Sequence, residues 1–279
     1  MNQNFKQRNG FTLIELSIVM VVIGLLIAGI LVGRDLIRAA EIRRQVSQID
    51  QIETATFAFR EKYRCLPGDC LRATEFFSGA VNGNGDGIIG EINDFNNGTA
   101  PEVWDVWHHL ASANLVNGNY DNSAVSQNRI GIDSPATALK GDGKDAGGGG
   151  FFNSKGGLLV LGPLNNFIIE QFGTRNVLYI GGTTNIGGNT FGIYGAAESY
   201  AMDSKMDDAK PFSGKFRSIS GLPMESVTLI SYYPVSGTGE MACIDDVSQS
   251  PEIVYNLNQD MQSPEAYTSY CSPVILMNF

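Results

Sequence analysis

Two places in this chain of 279 residues set side chains at spacings that chemistry uses. The first is the stretch NGNGDGIIGEIND, Asn82 to Asp94. Asn82, Asn84 and Asp86 alternate, Gly87 follows, and Ile89 comes two residues later. That is the order of the first half of a calcium loop, with oxygens at alternate positions, then a glycine, then an apolar residue. Calcium is a hard cation that takes about six to eight oxygens. The Ile88 carbonyl would add one, and Glu91 or Asp94 has to supply the distal carboxylate, because Asn93 stands where the loop wants glutamate. A glycine-rich turn with solvated side chains is the competing reading. The second place is Glu15, the only ionisable side chain between Phe11 and Val32. A carboxylate inside a membrane is costly and needs a partner. Cleavage after Gly10 would free an amine at Phe11, and residues four apart share one face of a helix. Amine and acid can then pair within a chain or between neighbours in a bundle.

Other chemistry-bearing residues give weaker patterns. Asp203, Asp207 and Asp208 are close in sequence, as in a second cation site, but their spacing matches no complete calcium loop. A solvated acidic turn is the preferred reading. His108 and His109 are the only histidines. Adjacent helical residues diverge by about 100° and rarely share a metal, and no nucleophile motif flanks them. No catalytic residue is assigned. The glycine-rich run at 140–150 lacks the GK[ST] of a phosphate loop and reads as a surface connection. Cys65, Cys70, Cys243 and Cys271 are even in number and show no zinc-like CxxC pair. Pro67-Gly68 is a turn pair that lets Cys65 and Cys70 meet across it; the crossed pairings stay open, since four cysteines allow three connectivities. The formal net charge of −10 becomes −12 if Lys6 and Arg8 leave with a leader. Phosphate backbones are repelled by most of such a surface, so nucleic acid is not expected as the main ligand.

These residues need elements to position them. A helix from Phe11 to Val32 spans about 33 Å, enough for a bilayer core of about 30 Å. Beyond Gly33 the pattern turns amphipathic: Ile42, Val46, Ile49, Ile52, Thr56, Phe59 and Tyr63 form one stripe. No proline interrupts before Pro67, so one helix of about 80 Å is expected from Phe11 to Arg64. A second helix is expected from Pro101 to Gly118, with Val103, Trp107, Leu110 and Leu115 on its apolar face. Strands are expected at Gly157–Leu161, Val177–Ile180, Thr190–Tyr194, Ser226–Tyr232, Glu252–Leu257 and Val274–Met277. Charge counting across the span, with Arg34, Arg38, Arg43 and Arg44 beyond it, would place the C-terminal side in the cytoplasm. The paired-cysteine count argues for the opposite side.

The stretch GFTLIELSIVMVVIGLLIAGIL, Gly10 to Leu31, resembles the leader and N-terminal helix of type IV pilins and type II secretion pseudopilins. The resemblance covers residues 1 to about 35 and implies cutting after Gly10 by prepilin peptidase, N-methylation of Phe11, and alignment of each incoming subunit by Glu15. It also implies an inner-membrane assembly platform, other pilin subunits, and a head first held in the periplasm. A C-terminal bridge between Cys243 and Cys271 is similar to that of many pilins. Many members carry proline where this chain has Val32, so a proline-based melting of the stem does not transfer. The stretch at 201–220 is similar to one in the heads of large pilin-like proteins. The fold class expected is α+β, a long N-terminal helix packed on an antiparallel sheet. The expected parts are a leader at 1–10, a membrane or filament-core helix at 11–33, an amphipathic helix at 34–64, a loop-rich region at 65–150 and a β-rich head at 151–279. The function expected is a structural, non-enzymatic subunit of a pilus, minor or specialised. A secretion pseudopilin, and a membrane-tethered hydrolase that borrowed the export signal, are the alternatives.

Overall fold

The computed structural model describes residues 12–90, 101–120, 122, 130–139, 157–161, 176–183, 190–191, 193–211, 213–220 and 271–277. The chain divides into two compact units, Met1–Glu41 and Ile42–Phe279. Helix α1 runs without interruption over Leu13–Tyr63. In the first unit its apolar residues are all exposed, from Leu13 to Ile37. It is the one helix among the described residues that is long and apolar enough to cross a membrane.

In the second unit α1 becomes a core helix. Ile42, Ile49, Ile52, Thr56 and Phe59 of the expected stripe are buried, and so are Gln45 and Ala55 beside it. Val46 and Tyr63 pack beside them half-buried. Each fully buried side chain of this kind contributes roughly 1.5–3 kcal/mol. The same apolar cluster takes in Val106, Trp107 and Leu110 of α3 (Pro101–Ser112), and Leu178, Ile180, Phe216 and Ile275 of the sheet. The short helix α2, Ala73–Phe76, comes between α1 and α3 in the chain. Helix α3 ends at Ser112, earlier than the expected Gly118, because Asn114 takes the left-handed conformation (φ 60°) and Leu115 N–H turns back to the Leu110 carbonyl. Asparagine tolerates this cap position well.

The sheet is antiparallel. Its strands are β1 (Gly157–Leu161), β2 (Val177–Thr183), β3 (Thr190–Phe191), β4 (Phe216–Ser220) and β5 (Cys271–Leu276), in the order β1-β2-β5-β4 with β3 on β2. Register is set by Leu159 opposite Tyr179, Tyr179 opposite Val274, and Arg217 opposite Val274. Helix α4, Ala196–Met206, precedes β4. Of the three aspartates read from sequence as a solvated acidic turn, Asp203 lies within α4, Asp207 caps its end and Asp208 follows. The expected strands at 226–232 and 252–257 lie outside the described residues.

Two polar clamps hold the head together. In the first, Gln48 donates to the Ala136 carbonyl (2.9 Å) and accepts Ala138 N–H (2.9 Å), while Gln45 accepts Leu139 N–H (3.0 Å). Tyr194 then donates its hydroxyl to the Leu139 carbonyl at 3.1 Å. The segment at 136–139 is strapped to α1 as a strand would be. In the second, His109 Nδ1 accepts Gly68 N–H at 2.8 Å. Its ring lies parallel to Phe59 and stacks on Phe77, at centroid distances of 5.9 and 5.4 Å. The Gly68 bond places the ring proton on Nε2, which faces Asp105 Oδ2 at 3.9 Å. Gly68 itself has φ +89°, and a Cβ there would collide with the Glu102 carbonyl. The loop closed by the Cys65–Cys70 bridge is therefore seated directly on α3.

Both clamps give measurable consequences. Gln45→Ala leaves the buried Leu139 N–H without its acceptor, and chemical denaturation is expected to show a loss of about 1–3 kcal/mol. Burial, with the nearby His108, lowers the His109 pKa from 6.5 to about 4. Between those values the unfolded chain holds a proton that the folded chain lacks, so this contribution is complete above pH 6.5 and is lost as pH falls toward 4. In a His109→Asn variant the new amide oxygen can still accept Gly68 N–H, but the side chain does not titrate. Stability of the parent protein relative to that variant should drop by about 3 kcal/mol from pH 7 to 4; parallel pH profiles would refute this.

Candidate functional site

The N-terminal site is built by the first turn of α1. Thr12 precedes the first helical residue and Glu15 is the third within the helix. Thr12 N–H and Thr12 Oγ1–H both donate to Glu15 Oε2, at 2.8 and 2.7 Å, and Glu15 N–H donates back to Thr12 Oγ1 at 3.3 Å. This is a reciprocal cap of the T-x-x-E kind, which satisfies two of the free amide donors that every helix start leaves. The sequence reading used Glu15 as a charge and passed over Thr12 as its partner; the signal was Thr-Leu-Ile-Glu itself. Glu15 Oε1 has no partner among the described residues. Oε2 thus fixes the rotamer against Thr12, and among the described residues Oε1 is open to a second donor. Gly10 and Phe11 lie outside the described residues.

The second site is the loop at 81–90, and acids from outside the loop organise it. Asp69, in the disulfide loop, accepts Gly85 N–H at 2.5 Å and Gly87 N–H at 2.8 Å. Glu102, in the first turn of α3, accepts Asn84 N–H (2.8 Å) and Gly90 N–H (2.9 Å). Asp105, one turn on, accepts Val81 N–H at 2.7 Å and Asn122 Nδ2–H at 2.5 Å. Asn176, just before β2, accepts Ile89 N–H and donates to the Gly87 carbonyl, pinning the loop to the sheet. Burial raises the pKa of Asp69, Glu102 and Asp105, and the amide donors pull each back toward the ionised form. Asp69 and Asp86 add mutual repulsion to Glu102. Five backbone donors and the start of α3, whose macrodipole favours an anion, balance these buried charges.

The sequence-predicted ligands sit on the same loop. Asn82 Oδ1 accepts Thr74 N–H at 3.0 Å. Asn84 Oδ1 accepts Asp86 N–H (2.9 Å), Asn84 Nδ2 donates to Asp86 Oδ2 (3.0 Å), and Asp86 Oδ1 accepts Ile88 N–H (2.8 Å). These are consecutive side-chain turns. Glu91 and Asp94 lie outside the described residues. Sequence reasoning missed Asp69, Glu102, Asp105 and Asn176; an acid in the first turn of a predicted helix was the available signal for Glu102.

Asp203, Asp207 and Asp208 do converge, with ligand atoms within 4.8 Å of one another. Asp203 is buried, not solvated as expected. The three close the turn from α4 into β4: Asp203 accepts Ala209 N–H (3.2 Å), Asp208 accepts Lys210 N–H (3.0 Å) and Ser213 Oγ–H (2.5 Å), and Asp207 accepts Lys215 N–H and Phe216 N–H. His108 bonds the Tyr120 and Ser78 carbonyls, so the two histidines point to different partners. Cys65 is bridged to Cys70. Cys271 is disulfide-bonded as well, and Cys243 lies outside the described residues.

A family model described as the prokaryotic N-terminal methylation motif matches residues 5–31. No curated protein and no solved structure matches the chain. The chain thus carries a prepilin-type N-terminus on an α+β, pilin-like architecture, consistent with the type IV pilin and pseudopilin family.

Proposed function

We propose that this chain is a minor or specialised subunit of a type IV pilus. The observation that carries the proposal is the methylation motif over residues 5–31 together with Glu15, whose carboxylate is held by Thr12 through one oxygen only. Prepilin peptidase frees the Phe11 amine. The apolar helix waits in the inner membrane with the head in the periplasm, then enters a filament in which the amine of one copy and Glu15 of another pair. An unpaired acid is costly in lipid, so the pairing drives assembly and sets the register of each subunit. The head, carried on the exposed half of the filament, exceeds many pilin heads in size and supports a specialised role. Immunolabelling of sheared surface fibres, with N-terminal sequencing of the labelled protein, tests this reading. A sequence beginning at methylated Phe11 in fibres supports it. Loss of protein secretion on deletion, with fibres intact, assigns the chain to a secretion pseudopilus instead.

Calcium at the loop 81–90 forms a second part of the proposal, with Asn82, Asn84, Asp86 and Ile88 as ligands and Glu91 or Asp94 completing the set. The spacing supports it. Asp69 and Glu102 already hold the loop amides, so the ion would add to a standing frame.

Two experiments follow. Glu15→Val should be cleaved normally yet absent from fibres, and Glu15→Gln separates the causes, because glutamine keeps the cap with Thr12 but carries no charge. Absence of Glu15→Gln from fibres is expected; normal incorporation would reduce Glu15 to a helix cap. Calcium should raise the melting temperature of the protein over chelator by a few degrees, and Asp86→Ala should abolish the gain. Identical melts in calcium and chelator would remove the site.

A further inference from the structure

Two Asn-Gly pairs follow one another in the loop at 81–90, Asn82-Gly83 and Asn84-Gly85. In such a pair the backbone nitrogen after asparagine can close on the side-chain amide carbon, and glycine, with no Cβ, leaves that approach open. The imide ring that forms expels ammonia. The step is ordinarily slow, because a peptide nitrogen that keeps its proton is a poor nucleophile and needs a base.

The two pairs differ in what faces that proton. Gly83 N–H donates to the Cys70 carbonyl at 3.0 Å, a peptide oxygen that does not serve as a base. Gly85 N–H donates to Asp69 Oδ1 at 2.5 Å, and Asp69 is a buried carboxylate. A proton acceptor within hydrogen-bond reach is the first requirement of general-base catalysis. The electrophile is prepared as well. Asn84 Oδ1 accepts Asp86 N–H at 2.9 Å, so a donor already faces the oxygen that becomes negative as the ring closes. Asn84 Nδ2 donates to Asp86 Oδ2 at 3.0 Å, which fixes the plane of the amide. Asn82 Oδ1 also has a donor, Thr74 N–H at 3.0 Å, so the base is what separates the two pairs. Gly85 has φ +74°, and a Cβ there would meet Leu71 at 2.7 Å, so the fold itself requires glycine at this position. Asn84 and Gly85 are exposed, and water reaches the imide.

We propose that Asn84 is a self-modification site, deamidated within the folded head with Asp69 as general base. The Gly85 nitrogen passes its proton to Asp69 Oδ1 and bonds to Asn84 Cγ. The Cγ–Nδ2 bond breaks, and Nδ2 leaves as ammonia with the proton that Asp69 returns through solvent. Water then opens the imide, at Cγ to give aspartate or at the main-chain carbonyl to give isoaspartate. No metal or second protein enters this balance, so the inference stands apart from the calcium reading and holds for a pilus or a pseudopilus subunit alike. Either product adds a carboxylate to a loop where Asp86 already repels Asp69 and Glu102, a repulsion that a cation relieves.

Incubation of the full-length protein in detergent, chelator and heavy-oxygen water tests it, with fragment spectra of its peptides locating the label at residue 82 or 84. In the folded protein Asn84 is expected to take up label at least about ten-fold faster than Asn82, since a positioned base contributes about 100-fold or more. After unfolding in urea with the disulfides reduced, the two rates should converge. Asp69→Asn, which keeps an acceptor for Gly85 N–H but takes no proton, should bring Asn84 down to the Asn82 rate. The comparison of folded with unfolded protein needs no variant and decides the case even where that substitution loosens the loop. A folded ratio below about ten, a preference for Asn84 that persists in urea, or an undiminished rate in a folded Asp69→Asn protein would overturn the proposal.

Discussion

One helix in this protein has to satisfy two solvents. From Leu13 to Ile37 the apolar side chains of α1 are exposed, and from Ile42 most of them are buried in the head, with Phe57 still exposed. No break, proline or cap separates the two regimes along Leu13–Tyr63. The burden of change therefore falls on the side chains. In the first half every apolar residue is acceptable on every face, as lipid or a helix bundle requires. In the second half only one stripe is apolar, because only one face meets protein. The lone acid of the first half stands at its tip, where the helix start itself leaves donors to satisfy it.

The head solves a related problem with its own acids. Asp69, Glu102, Asp105 and Asp203 are buried, and a buried carboxylate without partners would be strongly destabilising. Each is met by backbone N–H groups of a neighbouring loop or turn. Glycine-rich segments gain most from this, since they bring few side chains to the core. An acid from a rigid helix gives a loop such as 81–90 a fixed shape that its own residues could not impose. Here polar contacts add definition to a fold whose bulk stability comes from Phe59, Trp107, Tyr194, Phe216 and their neighbours.

The long helix and its stripe were legible because periodicity is a local property; Ile42, Ile49, Ile52, Thr56 and Phe59 all face the core. Gln45 was not, since a polar residue at a core position breaks the pattern unless its partner is known, and that partner is Leu139, far along the chain. Strand β1 was read at its observed limits, and β2 from its observed start but three residues short of its end. The beginning of β5 was hidden by Pro273, which lacks a ladder donor and is tolerated because only β4 pairs at that position. β4 and α4 were obscured by Asp203, Asp207 and Asp208, which resemble a loop until seen closing a helix-to-strand turn. At the loop 81–90 the asparagine and aspartate spacing was visible. The acids beneath it were not, because Asp69 and Glu102 are brought together only by the seating of Gly68 on α3.

The strap between Gln45, Gln48 and the segment at 136–139 joins residues 88 to 94 positions apart in the chain. A contact that closes so long a loop is entropically costly to reach, so the two glutamines fix to α1 a stretch that its own local propensity would leave loose.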